Sequence, residues 1–372
     1  MIAVKDKELK MLDKAASEFA KKQLAPEREE NDKFPFGPFF DDVLAKAFEL
    51  DFFHIILPES LDGMNQGMAA LSVILDNLCR EDSSLGGIVF TNSAAQQVML
   101  EAGATDLLAD IVSAESINDF LIAFPVFNNP AEVPHLAEAT PDGNGFTLSG
   151  KLEYMVLGGI SGHCLVPAKI AGQDGYSYFL VNTKDNNVTV SDPVLSLGLR
   201  ACPAVDIDFN NSKAALVGNQ GEGDTYFTKM ADRLHAAAAA MAAGVMKGSF
   251  NEAFSYSKER FQGGQAIINW SEMKMMLSNM AIAIENADMI LATAVSAVDN
   301  QFPGWERSSR AAALQIQASA CELTTDGIQA LGGVGYMKDF GQEKRFRDAK
   351  HIQALLGIAP MKRIKYIEAL LK

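Results

Sequence analysis

A glycine-rich run near the carboxyl end is the first segment whose residue types could do chemistry. Residues 329–336 read Gln-Ala-Leu-Gly-Gly-Val-Gly-Tyr. The glycines at 332, 333 and 335 would let backbone amides approach phosphate or ribose oxygens, because no Cβ stands in the way. A tight turn between two helices explains the same glycines, and the residues by themselves favour that turn.

Histidine and cysteine are too scattered for a metal site or a redox pair. The histidines show no metal-ligand spacing, and the cysteines form no Cys-x-x-Cys pair. We therefore expect no metal, reduced buried thiols and a cytoplasmic location. His351, among apolar neighbours, is typical of a hydrogen-bonded core residue. The full set is His54, His135, His163, His235, His351, Cys79, Cys164, Cys202 and Cys321.

Composition and charge exclude several classes of partner. The 372 residues carry 47 Asp and Glu against 32 Lys and Arg, a formal net charge of −15. Such a chain does not build the basic surface that nucleic acid or an anionic membrane requires. The uncharged apolar helical stretch at residues 235–246 is shorter than the roughly 20 residues of a membrane span. The charged amino terminus predicts no secretory signal.

The order of sequence patterns predicts an α+β fold in three domains. Residues 1–120 show helical spacing, residues 121–228 form short alternating segments between turn residues, and residues 229–372 return to long helices. The chain has no βαβ alternation, no Gly-x-Gly-x-x-Gly motif and no Walker loop. The sequence therefore does not indicate a doubly wound nucleotide-binding sheet. Predicted helices include 39–50 and 68–78 after a break at 34–38, and predicted strands are 145–150, 176–181 and 206–209.

Six short motifs occur in an order that resembles the acyl-CoA dehydrogenase family over essentially the whole chain. Any one of them is weak, and their shared order and spacing carry the resemblance. They are Leu57-Pro58-Glu59, Arg80-Glu81-Asp82, residues 197–200, residues 256–264, residues 329–336 and residues 347–350.

The resemblance implies a helical amino-terminal domain, a central β-barrel-like domain and a carboxy-terminal four-helix bundle. It also implies a dimer or tetramer with FAD at the subunit interfaces. In the family, the flavin ring lies between the β domain and the bundle of one subunit, and the adenosine-diphosphate end reaches a neighbour. The matching residues are Arg260, Gln329, Gly332, Gly333 and Gly335 at the nucleotide end, and Tyr154 and Val156 at the ring.

The base that this family uses is missing from the chain. Family members remove an α-proton from an acyl-CoA thioester with a glutamate and pass the β-hydrogen as hydride to the flavin. Leu356 occupies the usual base position, and Leu234 occupies the alternative one on the first long bundle helix. No acidic residue lies between Asp348 and Glu368. Asp232 should point away from Leu234, since two residues turn a helix by roughly 200°.

The positions that are functional in the family fall into two groups, those that are altered in this chain and those that are kept. Positions that serve the subunit's own flavin ring and substrate are altered, since Val156 lacks the hydroxyl that the family has there. Positions that reach a neighbour's FAD are kept. We expect the base-lacking partner of a paralogous catalytic subunit in a heteromeric enzyme, which acts on an acyl-CoA thioester and passes electrons to an electron-transferring flavoprotein.

Three alternatives remain open at the level of sequence. One is a homomeric flavoenzyme whose base lies elsewhere, with Glu153 and Asp119 as available acids that otherwise serve as surface charges. Another is a flavoenzyme that eliminates a leaving group from an acyl-CoA without removing the α-proton. The last is a flavin-free structural subunit.

Overall fold

Helices make up the amino-terminal part of the protein. The computed structural model describes residues 7–34, 42–143 and 145–371. Apart from Phe34, the predicted break at 34–38 lies outside these residues, as does the predicted helix start at Phe39. The helices are α1 (Lys7–Phe19), α2 (Arg28–Asn31), α3 (Val43–Glu49), α4 (Met68–Glu81), α5 (Ser83–Glu101), α6 (Thr105–Val112) and α7 (Ile117–Phe120).

Helix α4 is joined to the distant bundle at its first turn. The carboxylate of Asp299 accepts hydrogen bonds from the backbone N–H groups of Met68 at 2.6 Å and Ala69 at 2.9 Å. These amides have no acceptor within their own helix, and a negative charge at a helix amino terminus is favourable. Asp299 therefore caps α4 from 230 residues further along the chain.

The central part is a β-sheet that closes on itself. Strand β4 pairs in parallel with β2 and antiparallel with β5, which completes a ring through β3 and β7. This closure confirms the predicted barrel-like domain. The strands are β1 (Ile122–Ala123), β2 (Ala137–Asp142), β3 (Gly145–Val156), β4 (His163–Ile170), β5 (Ser177–Asn182), β6 (Val188–Val190) and β7 (Ala204–Val217).

Strand β3 is twice as long as the predicted segment 145–150. Gly150 suggested a turn, but it lies inside the strand with φ of 118°. The register with β7 shifts between Leu148 and Ser149 and again between Leu152 and Met155. The extra residues are Asn211 on β7 and residues 153–154 on β3. Gly150 itself pairs with Phe209, so the strand continues through it to Val156.

Long helices return at Gly223, so the predicted domain division at 228/229 falls inside the first bundle helix. Gly244 on this helix lies against α4, and a Cβ there would stand 2.3 Å from the carbonyl oxygen of Asp76. The alanine and glycine run thus permits close helix packing. The elements are α8 (Gly223–Glu259), β8 (Phe261–Gln262), β9 (Gln265–Ala266), α9 (Ser271–Asp299), α10 (Trp305–Leu331), α11 (Gln342–Ile352) and α12 (Ala359–Leu371).

Helix α9 is long and apolar. By length and composition alone it could cross a membrane, and 39 % of its most apolar stretch is buried. No long uncharged stretch marks this helix in the sequence, because Glu285 and Asp288 interrupt the apolar residues. In the protein, α9 packs beside α8 and α10 as a bundle helix.

A buried ammonium group on α11 joins the three parts of the chain. Lys344, 1 % exposed, donates to Asp82 at 2.9 Å and to Asp348 at 2.8 Å. Asp348 also accepts the N–H of Leu199 from the β domain at 2.8 Å. Burial alone would raise the pKa of Asp348, but the Lys344 ammonium and the Leu199 amide outweigh burial and hold that pKa below its ordinary value.

We predict that Lys344→Met lowers the free energy of unfolding by about 3–5 kcal/mol, because two buried carboxylates lose their cation. Chemical denaturation measures the change. Lys14→Met is the control, since Lys14 is exposed and 3.9 Å from Glu18, and it should change stability far less. Equal effects of the two substitutions would show that the buried group does not hold the domains together.

Candidate functional site

A cavity of about 480 Å³ lies where the end of α8, the β8–β9 hairpin, the start of α9 and the end of α10 meet. Four of the five residues predicted at the nucleotide end line it. These four are Arg260, Gln329, Gly332 and Gly333. The fold therefore brings together residues that lie about 70 positions apart in the sequence.

The three glycines of residues 332–335 lie in different local environments. Gly332 ends α10 with φ 60° and ψ −134°, a conformation that side-chain-bearing residues rarely adopt. A Cβ on Gly333 would meet no atom within 4 Å, so its backbone faces open space. A Cβ on Gly335 would stand 2.1 Å from the carbonyl oxygen of Ile328. Gly335 thus serves the tight turn and does not line the cavity, unlike the two other glycines.

Arg260 presents a free guanidinium from a fixed backbone. It is the residue after α8, where its N–H donates to Tyr256 and its carbonyl accepts from Ile267, both at 2.9 Å. Within the described residues its exposed side chain makes no ion pair. A planar cation held in this way suits a phosphate or a diphosphate.

The residues predicted at the flavin ring lie outside this cavity. Val156 is 2 % exposed at the end of β3. The Tyr154 hydroxyl lies 2.5 Å from Ser196 Oγ and 3.3 Å from His351 Nε2. Since His351 Nδ1 accepts the N–H of Gly198, Nε2 carries the proton and donates to Tyr154.

Aromatic rings complete this cluster around Tyr154. Phe127 packs edge-on against Tyr154 at 5.5 Å between ring centroids and against His351 at 4.6 Å. Burial lowers the pKa of His351, which keeps the imidazole neutral near pH 7. Side chains at the predicted ring position therefore contact one another, and His351 is hydrogen-bonded as the sequence indicated.

Leu356, at the family's base position, is buried and conformationally unusual. Its φ is 60°, and its N–H donates to the Val126 carbonyl at 2.9 Å. The buried side chain of Lys362 donates hydrogen bonds to the backbone carbonyls of the neighbouring Leu355 at 3.1 Å and of Gln353 at 2.9 Å. Burial lowers the pKa of Lys362 to about 7. These bonds fix the turn that carries Leu356.

A second cavity of about 320 Å³ has Leu356 in its wall. Leu234 is fully buried and does not line it, whereas its neighbour His235 does. Asp232 pairs with Arg310 at 2.5 Å and does not line the cavity either.

Two acids in this second cavity escaped the sequence analysis. Glu132 lies 2.6 Å from Lys365, and Asp224 accepts from Asn129 at 3.3 Å. Only the fold brings them near Leu356, and no motif marks them. The acids that the sequence did suggest, Glu153 and Asp119, line neither cavity. They pair with Lys151 and Lys184 respectively.

Metal and disulfide chemistry find no place in the described part of the chain. No three His, Cys, Asp or Glu side chains there are arranged to hold a metal ion. The four cysteines are free and buried, as expected.

Two family models match the chain. The acyl-CoA dehydrogenase N-terminal domain matches residues 6–112, and the acyl-CoA dehydrogenase C-terminal domain matches residues 221–370. Together they cover more than half of the 372 residues. The chain therefore belongs to the acyl-CoA dehydrogenase family of oxidoreductases, which confirms the resemblance.

Similar proteins cover nearly the full length of the chain. The probable acyl-CoA dehydrogenase FadE25 of Mycobacterium tuberculosis is 26 % identical over 365 residues, 95 % of this chain and 92 % of that protein. The caffeyl-CoA reductase-Etf complex subunit CarC of Acetobacterium woodii is 26 % identical over 381 residues, 98 % of each.

Solved structures agree with the fold. A chain in the structure described as the electron transferring flavoprotein of Acidaminococcus fermentans has a TM-score of 0.90 and 26 % identity, and covers 100 % of both chains. Butyryl-CoA dehydrogenase from Megasphaera elsdenii has a TM-score of 0.87 and 20 % identity, and covers 99 % of both. The predicted α+β architecture is confirmed.

The glycine geometry predicts opposite results for two similar substitutions. Gly333→Ala should leave the thermal unfolding midpoint unchanged, because its Cβ enters open space, and should weaken nucleotide binding by narrowing the cavity. Gly335→Ala should lower the midpoint, because its Cβ overlaps the Ile328 carbonyl. Calorimetry of both variants measures this. A stable Gly335→Ala protein would remove the packing explanation.

Proposed function

We propose that this chain is the base-lacking partner subunit of a heteromeric acyl-CoA dehydrogenase. In this proposal the larger of the two cavities described above, the one lined by Arg260, binds the nucleotide end of an FAD whose flavin ring belongs to a neighbouring subunit. The observation that carries the proposal is the contrast between the two predicted halves of the cofactor site. The Arg260 cavity is open and holds an unpaired cation, whereas Tyr154, Phe127 and His351 contact one another.

The nucleotide half fits the residues of the larger cavity. Arg260 would bind the pyrophosphate, and the exposed backbone at Gly332 and Gly333 would approach its oxygens without steric hindrance. Gln329, also exposed, can hydrogen-bond along the same edge. When bound, FAD supplies the acceptor for the hydride that leaves the thioester.

The catalytic half lacks a proton acceptor at both family positions. The Leu356 and Leu234 side chains cannot take the α-proton of a thioester. In the proposed complex the paralogous subunit supplies the glutamate and binds the acyl-CoA. The relative named as a caffeyl-CoA reductase-Etf complex subunit supports an electron-transferring flavoprotein as the electron acceptor.

An exposed apolar stripe on α9 supports contact with another subunit. Met275, Ile282 and Met289 are 68 %, 58 % and 61 % exposed. Their spacing of seven residues places them on one side of the helix. An apolar face of this kind is typical of a protein–protein interface. The start of α9 also lines the larger cavity, so a subunit on this face would lie beside the proposed nucleotide site.

Co-expression with a paralogous acyl-CoA dehydrogenase subunit tests the proposal. The purified complex should contain flavin and oxidise an acyl-CoA. Arg260→Gln should leave the complex assembled but lower its flavin-to-protein ratio, because the pyrophosphate loses its cation. Lys258→Gln is the charge-matched control, since Lys258 lies over the Phe254 ring and outside the cavity. Equal flavin content in both variants would contradict the proposal.

Glu132 favours a second candidate, a homomeric enzyme with a base on the β-domain loop, because it lines the same cavity as Leu356. Under that alternative the chain alone turns over acyl-CoA, and Glu132→Gln lowers kcat by about 10²–10⁴-fold. Glu153→Gln is its control. Under our proposal the chain alone is inactive, and Leu356→Glu stays inactive because the flavin ring is bound by the neighbouring subunit. Turnover by Leu356→Glu alone would contradict this.

A further inference from the structure

Trp270 is held at the wall of the larger cavity by contacts that orient its ring. It directly precedes α9, and its indole Nε1 donates to the Gln262 carbonyl of the hairpin at 3.2 Å. The hairpin lies so close that a Cβ on Gly263 would stand 2.9 Å from the Trp270 ring. The side chain is still 41 % exposed. The ring is therefore a fixed, partly open aromatic surface beside Arg260.

The cavity combines three kinds of recognition. Arg260 offers a free cation, the backbone at Gly332 and Gly333 is open to close approach, and Trp270 offers a flat aromatic ring. The carboxylate of Glu272 also lines it and could accept hydrogen bonds from hydroxyl groups. A nucleoside diphosphate carries the matching anion, sugar hydroxyls and planar base. The volume of about 480 Å³ lies within the roughly 300–1,000 Å³ typical of small-molecule sites.

We propose that Trp270 is the stacking platform for the purine of an adenosine diphosphate moiety. The cavity then binds this moiety even when no flavin ring is attached to it. The inference rests on the proposed nucleotide role of the cavity and adds the residue that recognises the base. Stacking needs only a π-face and tolerates different bases, so the platform selects a nucleotide over a simple diphosphate. Arg260 alone would bind both.

The two tryptophans of the chain allow a direct test. Trp305 lies outside the cavity, with the Arg233 guanidinium 5.4 Å from the centre of its ring. Trp305→Phe therefore leaves Trp270 as the only tryptophan emitter, and Trp270→Phe leaves only Trp305. Both variants are titrated with ADP and with inorganic pyrophosphate, and equilibrium dialysis measures ADP binding in parallel.

The expected result is a change in Trp270 emission that saturates together with ADP binding in Trp305→Phe. Trp305 emission in Trp270→Phe should not respond, and pyrophosphate should alter Trp270 emission far less than ADP. A second variant, Trp270→Ala, should bind ADP roughly 10- to 100-fold more weakly while its affinity for pyrophosphate stays unchanged. A loss of ADP affinity with unchanged pyrophosphate affinity distinguishes the loss of stacking from general damage to the hairpin.

Three results would overturn the inference: bound ADP without a change in Trp270 emission, an equal loss of ADP and pyrophosphate affinity in Trp270→Ala, or no ADP binding to the wild-type chain. The first two leave the partner-subunit proposal intact, because Arg260 could still hold the pyrophosphate. That proposal fails on a different observation, equal flavin content of the Arg260→Gln and Lys258→Gln complexes.

Discussion

The buried ammonium of Lys344 is the interaction on which the rest of the structure depends. A charge taken out of water is tolerated only when its partners are in place, and removal of one partner leaves the others unpaired. Here the partners come from the amino-terminal helices and from α11 itself, and Asp348 extends the network to the β domain through Leu199. The close approach of Gly198 to the Arg347 carbonyl shows how tightly the β-domain loop lies on α11.

The same helix positions the residues beside the predicted flavin ring. Helix α11 carries His351 to Tyr154 and leads into the turn that carries Leu356. Beside the predicted flavin ring, the side chains of Tyr154, Phe127 and His351 therefore contact one another, and His351 lies on a helix that buried charges hold in place. The larger cavity lies at the other end of the bundle helices, where Arg260 and Trp270 stay exposed beside the apolar face of α9. The side chains of the first region, beside the predicted ring, contact one another, and those of Arg260 and Trp270 in the second are exposed to solvent.

Sequence reasoning succeeded where local pattern and local structure coincide. Apolar spacing predicted α1, and the glycine and arginine motifs predicted four residues of the larger cavity. Pairing and packing decide the outcome at other positions. Gly150 pairs with Phe209 inside β3 instead of ending the strand, and Gly335 lies against the Ile328 carbonyl outside the cavity wall.

The functional and structural residues that the sequence does not indicate have one thing in common: only tertiary contacts bring them into place. Glu132 and Asp224 are unremarkable in the sequence, and only barrel closure and bundle packing bring them to the wall that holds Leu356. The cap that Asp299 provides to α4 spans more than half of the chain, beyond any local signal. Trp270 carries no motif, and its position emerges only when the hairpin folds against its ring.

In the proposed function, the chain keeps the nucleotide half of a cofactor site and lacks the flavin-ring half. The decisive measurement is the flavin content of the chain purified by itself, after incubation with excess FAD and gel filtration. We expect visible flavin absorbance far below one equivalent per chain and no oxidation of acyl-CoA. One retained flavin per chain, together with acyl-CoA turnover, would contradict it.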